Sequence, residues 1–97
     1  MSKAYWIVRV SVQDQARYPE YLALARPAFE KFGARFIVRG GSFESMEGQA
    51  RERNVVVAFA DRDTAVACYG SPEYQRAKAI RQACAEADFI IIDGATE

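Results

Sequence analysis

The order of strand-type and helix-type patterns restricts the fold of this chain more than any other feature of its sequence. In residues 5–12 apolar side chains alternate, so that Trp6, Val8 and Val10 share one face while Tyr5 and Ile7 share the other. That period of two is typical of a strand in a sheet. A helical pattern and a second strand pattern follow, and a similar series fills the other half of the chain, without an internal repeat or a low-complexity linker. The chain therefore predicts an α+β fold built from two strand–helix–strand halves.

The first helix has a clear end and one irregular position. Apolar side chains recur at steps of three and four from Tyr18 to Phe32, and Gly33 then ends the pattern. Pro27 lies inside this pattern, where it is expected to remove one helical hydrogen bond and bend the helix.

The second helical region is predicted to be broken in two. Asp61 is a good N-cap for a short helix over residues 62–69, which Gly70 ends. Ser71 followed by Pro72 is a new start signal, with a capping residue before a first-turn proline. The apolar stripe of this last helix consists of Ala77, Ile80, Cys84 and Ala87.

Three more segments have the pattern of strands, namely residues 34–39, 53–60 and 89–92, and the polar residues 42–52 predict an exposed turn. In residues 34–39, alternation places Phe36 and Val38 on one face and Arg39 on the other. The complete order, β-α-β-β-α-β, is that of the ferredoxin-like fold, an antiparallel sheet with its helices on one face. We expect one such domain over residues 1–97.

Composition excludes several functional classes. The 97 residues hold 13 basic and 13 acidic side chains, which are scattered, so we expect no nucleic-acid partner. There is no histidine, and Cys68 and Cys84 do not form a CxxC pair, so we predict no metal site and two buried structural thiols. We also expect no cofactor, because phosphate-loop and dinucleotide-binding motifs are lacking. No apolar run is long enough to span a bilayer and no signal-peptide pattern is visible, which predicts no membrane association and a cytoplasmic location.

The sheet face opposite the helices is too apolar to lie in water. It is predicted to carry Tyr5, Ile7 and Ile37 together with Val56 or Val57, and no further layer of helices is available to cover it. A two-fold symmetric pair of sheets is the commonest solution, so we predict a homodimer. Arg9 and Arg39 also fall on this face by alternation, either as ion-pair partners across an interface, which we favour, or as anion-binding groups.

Several short motifs in order resemble the family called domain of unknown function 1330. From the N-terminus they are Tyr5-Trp6-Ile7, the segment from Gly33 to Gly41, Glu47-Gly48, Ser71-Pro72-Glu73-Tyr74-Gln75 with Arg81 two turns later, and Asp93-Gly94. The resemblance covers nearly the whole chain and implies a homodimer of ferredoxin-like subunits, a dimeric α/β barrel, with no assigned activity. Asn54 and Ala58 depart from the arginine and glutamate that many relatives carry, so a polar site formed by that pair would be lost or altered here.

Two functional hypotheses follow. The first is a binding protein for a small acidic or aromatic metabolite, held in a cleft between sheet and helices. The second is a cofactor-free enzyme, similar to the monooxygenases and isomerases of the same barrel superfamily. The candidate ligand-binding residues are four aromatic side chains and two cations: Trp6, Tyr21, Tyr69, Tyr74, Arg39 and Arg81. The alternative interpretation is structural: the tyrosines pack in the core and Arg81 pairs with Asp88.

Overall fold

Seven elements follow one another in the computed structural model, which describes residues 3–95. They are β1 (Ala4–Val12), α1 (Tyr18–Lys31), β2 (Arg35–Arg39), β3 (Arg53–Phe59), α2 (Arg62–Gly70), α3 (Pro72–Cys84) and β4 (Ala85–Asp93). The strands form one antiparallel sheet in the order β2-β3-β1-β4, which is the strand order of the predicted ferredoxin-like fold. Within residues 3–95, none of the helices combines the length and the apolar character needed to cross a membrane.

The core lies between the helices and the sheet face predicted to be buried. Trp6, Val8 and Val10 of β1 are buried there, as are Val57 and Phe59 of β3. The alternation predicted for these two strands is therefore confirmed, and Val56 belongs to the opposite face.

The alternation predicted for β2 is wrong beyond Phe36. Phe36 pairs with Val57, but Val38 pairs with Val56 and Arg39 with Val55, so Ile37 is an extra residue in a β-bulge. A bulge of one residue turns the rest of the strand over. Val38 therefore lies on the outer face with Val56, whereas Arg39 lies on the helix face with Val55.

Local sequence signals mark both ends of α1. Asp14 accepts hydrogen bonds from the backbone N–H groups of Ala16 and Arg17, and α1 begins at Tyr18 and continues through Pro27. Gly33 adopts a positive φ of 68°, and the following N–H, that of Ala34, donates to the carbonyl of Phe29. Only glycine adopts this left-handed conformation without steric cost, so Gly33 lets the chain leave α1 and enter β2.

Ser71 joins α2 to α3 as predicted. Its Oγ accepts from the backbone N–H of Tyr74 at 3.1 Å and donates to the carbonyl of Cys68 at 2.7 Å. The buried hydroxyl of Ser71 therefore forms hydrogen bonds with both the end of α2 and the start of α3.

We expect Ser71→Ala to lower the free energy of unfolding by about 1–2 kcal/mol, because the N-cap of α3 is lost and the buried carbonyl of Cys68 keeps only the backbone N–H of residue 71 as a donor. Urea denaturation followed by circular dichroism measures this loss. Ser42→Ala, in the exposed loop after β2, is the matched control and is expected to change stability by less than about 0.5 kcal/mol. Equal stability of the two variants would contradict the capping role.

The last helix ends earlier than its apolar pattern predicts. α3 stops at Cys84, and Ala87 pairs with Val10 in the β1–β4 ladder instead of facing the sheet from a helix. The backbone N–H groups of Gln13 and Asp14 also donate to the carbonyl of Cys84. Ala85, Glu86 and Ala87 are residue types that favour helix, so pairing with β1, which is distant in sequence, overrides the local preference of this segment.

The outer face of the sheet is apolar across all four strands. One row of paired residues, all apolar, consists of Val38, Val56, Ile7 and Ile90. In the next row Ile92, Tyr5 and Ala58 are followed by Arg35 on β2. Ile90 and Ile92 are 53% and 47% exposed, respectively. Val38, at the β2 end of the first row, is 42% exposed, so this apolar surface is in part open to solvent.

Both cysteines are buried and free. The thiol of Cys68 donates to the carbonyl of Ala28 at 3.7 Å, and burial raises its pKa to about 12. A thiol with such a pKa is a poor nucleophile near neutral pH, in agreement with the structural role predicted for it.

Candidate functional site

An aromatic cluster surrounds Trp6 between the sheet and the helices. The ring centroid of Trp6 lies 4.9 Å from that of Tyr74, 4.9 Å from that of Phe89 and 6.2 Å from that of Tyr69. Its indole N–H donates to the carbonyl of Ala65 at 3.0 Å. These contacts fill the space around Trp6 and Tyr74, so most of the cluster is packed core and not an open cleft.

Arg81 lies beside this cluster and is only 5% exposed. Its Nη2 is 3.5 Å from the hydroxyl of Tyr74, which in turn is 2.8 Å from the hydroxyl of Tyr21. The guanidinium carbon is also 5.7 Å from the ring centroid of Tyr21 and 5.8 Å from that of Phe89. A buried cation is therefore held by two hydroxyl groups and two aromatic faces.

The proposed pairing of Arg81 with Asp88 does not form. Asp88 lies on the outer side of the sheet, where its Oδ2 accepts from Arg51 at 2.9 Å and from Arg9 at 3.3 Å. These two cations lower the pKa of the Asp88 carboxyl, Arg51 more than Arg9. Arg9, predicted to face an interface or an anion, is thus paired within its own chain.

The open space lies elsewhere, between α1 and the β2–β3 half of the sheet. This cleft has a volume of about 370 Å³, and its lining combines apolar and charged side chains: Leu22, Arg26, Phe29, Glu30, Ala34, Phe36, Arg39 and Arg53. The rings of Phe29 and Phe36 meet edge to face with centroids 5.1 Å apart, and the Arg39 guanidinium lies 4.1 Å from the Phe36 centroid. An inner extension of about 30 Å³ shares Leu22, Phe29, Phe36 and Arg53 with the cleft and reaches Trp6, Tyr18 and Tyr21.

Gly40 makes room for Arg53 at the cleft. A Cβ on Gly40 would lie 2.7 Å from Nη1 of Arg53, and Gly40 has a positive φ of 67°. The guanidinium carbon of Arg53 is 5.6 Å from the ring centroid of Tyr18, and its Nε is buried without a hydrogen-bond partner. A side chain at position 40 would therefore require the tip of Arg53 to move.

The cleft arginines lack anionic partners. None of the carboxylates between residues 3 and 95 comes within 4.0 Å of Arg26, Arg39 or Arg53, although Glu30 lines the same cleft. Three cations on the lining of one cleft attract an anion. The same part of the chain contains no group of three acidic or cysteine side chains that could hold a metal ion.

The structure brings five of the six candidate residues together and separates the sixth. Trp6, Tyr21, Tyr69, Tyr74 and Arg81 form the packed cluster, and of these only Trp6 and Tyr21 also line the inner extension of the cleft. Arg39 lies in the cleft proper. Sequence reasoning missed Arg53, although its alternation with Val55 and Val57 on β3 places it on the helix face.

Asn54 and Ala58, the two departures noted in the sequence, both lie on the outer sheet face. Asn54 donates to the carbonyl of Arg51 at 3.1 Å, and Ala58 is 4% exposed. The changes at these two positions therefore fall outside the cleft.

Solved structures with the same fold cover almost the whole chain. A protein of unknown function from Rhodopseudomonas palustris, RPA0582, superimposes with a TM-score of 0.80 at 15% identity, over 99% of this chain and 85% of that one. SnoaB, a cofactor-independent oxygenase from Streptomyces nogalater, gives a TM-score of 0.68 at 12% identity, over 100% and 97% of the two chains. A dimeric ferredoxin-like protein of unknown function from Jannaschia sp. CCS1 gives 0.65 at 16% identity, over 97% and 99%.

Sequence comparison gives the family. A search of curated protein sequences finds no match to this chain. The model of the family described as domain of unknown function, DUF1330, matches residues 3–95, which is nearly the full sequence and includes every motif on which the resemblance rested. The chain therefore belongs to the DUF1330 family.

Proposed function

We propose that this protein binds a small aromatic acid in the cleft between α1 and the β2–β3 half of the sheet. The observation that carries the proposal is the pairing of an apolar wall, Phe29 and Phe36, with three arginines that have no carboxylate partner in residues 3–95. A planar ring fits against the phenylalanines, while its carboxylate accepts hydrogen bonds from Arg39 and Arg53. Trp6 and Tyr21 close the inner end, and Tyr69, Tyr74 and Arg81 hold them in place.

The acid group is expected to dominate the affinity. Titration calorimetry with 4-isopropylbenzoate should show binding, whereas its neutral amide, 4-isopropylbenzamide, should bind at least about tenfold more weakly. This difference follows because a hydrogen bond to a charged group contributes about 1.5–3 kcal/mol. Affinity for the acid should also fall as salt screens the arginines.

Arginine variants test the location of the site. We expect Arg39→Met and Arg53→Met each to weaken binding of the acid about tenfold or more while leaving binding of the amide unchanged. Arg62→Met is the matched control, because Arg62 lies on α2 and pairs with Asp93 outside the cleft. Equal loss with Arg62→Met, or equal affinity of acid and amide, would contradict the proposal.

The same proposal includes a homodimer formed through the outer sheet face. Its support is the apolar surface that runs across all four strands, which a second sheet of the same kind can cover. The structural relative from Jannaschia is described as dimeric. The arrangement leaves the cleft free, because the cleft lies on the opposite, helix-covered side.

A cofactor-free oxygenase acting in this cleft is the second candidate. SnoaB, with the same fold, is described as a cofactor-independent oxygenase, and here Trp6 and Tyr21 give the inner end an aromatic wall. Such an enzyme uses its substrate as the only reductant of dioxygen. Oxygen uptake with 1,4-dihydroxy-2-naphthoate above the uptake in buffer, abolished by Arg53→Met, would favour this candidate over simple binding.

A further inference from the structure

The three polar groups of Arg81, Tyr74 and Tyr21 connect the core to the cleft. Arg81 and Tyr74 are 5% and 0% exposed, and Tyr21 lines the inner extension of the cleft. The contacts run from Arg81 Nη2 to the Tyr74 hydroxyl and from there to the Tyr21 hydroxyl. The hydrogen-bond donors of these three side chains therefore outnumber the acceptors, which are the two tyrosine oxygens.

The direction of these hydrogen bonds follows from what each group can do. A guanidinium only donates, so the Tyr74 oxygen accepts from Arg81. Tyr74 is fully buried, and within residues 3–95 the Tyr21 oxygen is the acceptor within reach of its proton, so Tyr74 donates to Tyr21. The proton of Tyr21 is then left without an acceptor inside the core.

Burial also keeps the Tyr21 hydroxyl protonated. Its pKa is raised well above the ordinary value of 10, mainly because the buried site disfavours the tyrosinate. The pKa of Tyr74 is raised for the same main reason, although the charge of Arg81 opposes the shift. Both hydroxyls are therefore available as donors throughout the neutral range.

We propose that Tyr21 is a specificity-determining donor, which gives its free proton to an oxygen acceptor on the inner end of the bound ligand. This inference rests on the proposed binding of an aromatic acid. It adds a hydrogen bond at the end of the ligand opposite the carboxylate. Arg39 and Arg53 hold the carboxylate in the outer cleft, and the para position of the ring carries a carbonyl oxygen that meets Tyr21. Arg81 acts as a positioning residue, since its donation to Tyr74 leaves Tyr74 free to donate to Tyr21.

Two nearly isosteric acids test this inference. 4-Acetylbenzoate has a para carbonyl acceptor, whereas 4-isopropylbenzoate has the same shape without it. We expect the protein to bind 4-acetylbenzoate about five- to tenfold more tightly in titration calorimetry, as one unmatched buried donor predicts. Tyr21→Phe should remove this preference, so that the two acids bind the variant with equal affinity.

Control variants distinguish the effect of the Tyr21 hydroxyl from that of neighbouring side chains. Tyr18→Phe alters a second tyrosine that lines the same inner extension, with its ring centroid 5.3 Å from that of Tyr21, and should keep the preference. Arg81→Met should reduce the preference, and Arg81→Lys should restore part of it. Where Arg81→Met does not fold, Tyr74→Phe removes the same link with less loss of packing, and we expect the same reduced preference.

The outcomes distinguish this inference from the proposed function. If neither acid binds the wild-type protein, the aromatic-acid site itself is wrong, and the role of Tyr21 is wrong with it. If both acids bind equally, or if Tyr21→Phe retains the preference, the acid site stands and the role of Tyr21 is overturned.

Discussion

Ile7→Asp is expected to convert the proposed homodimer into a monomer. Ile7 lies in the row that Val38, Val56 and Ile90 complete across the outer face, so in the proposed dimer the new carboxylate of each copy would be buried at the interface. A buried charge without a partner costs several kcal/mol, so the dissociation constant should rise at least about a hundredfold. Light scattering at micromolar concentration should give twice the chain mass of 10.9 kDa for the wild type and the single mass for the variant.

Val66→Asp is the control for this experiment. Val66 is a β-branched residue on α2 with 52% exposure, so the substitution introduces the same charge on the helix side of the molecule. The variant is expected to remain a dimer. A wild-type protein with the monomer mass at micromolar concentration would refute the proposed interface.

Trp6→Ala is expected to destabilise the protein severely, because it removes the side chain at the centre of the core. Trp6 is 1% exposed and contacts the rings of Phe29, Phe59, Tyr69, Tyr74 and Phe89. Truncating a fully buried tryptophan costs about 3–5 kcal/mol, and the carbonyl of Ala65 also loses its donor. Such a loss is a large part of the total stability of a small protein.

Circular dichroism must follow this denaturation, because Trp6 is the single tryptophan of the chain and its fluorescence is lost with it. Phe43→Ala is the control, since Phe43 is an aromatic residue of the exposed loop with 49% exposure. We expect Phe43→Ala to change the free energy of unfolding by less than about 0.5 kcal/mol. A similar small change for Trp6→Ala would contradict the central place of Trp6 in the core.

Regular patterns made most of the fold predictable from the sequence. The faces of β1 and β3 follow from strict alternation, and the break between α2 and α3 follows from Ser71 and Pro72, whose effects are local. The end of α3 was predicted wrongly because Ala85, Glu86 and Ala87, directly after Cys84, favour helix by themselves. There the ladder with β1, a strand near the other end of the chain, determines the structure.

The candidate site was predictable only in part. The neighbourhood of Tyr74 and Arg81 follows from helical spacing, since residues seven apart share one side of a helix. The separation of Arg39 from that cluster depends on the bulge at Ile37, which no local signal in β2 marks. The packing that fills the space around Trp6 depends on rings from several elements, and no single segment contains that information.

The bulge at Ile37 also determines where β2 tolerates a change in length. Deleting one residue from a strand normally exchanges the two faces of everything beyond the deletion. Deleting Ile37 would instead restore a regular ladder in which Phe36 still pairs with Val57 and Arg39 still pairs with Val55. We therefore expect relatives with a shorter β2 to have their alignment gap at Ile37. In those relatives, the residue at the position of Arg39 should still lie on the helix face, at the cleft.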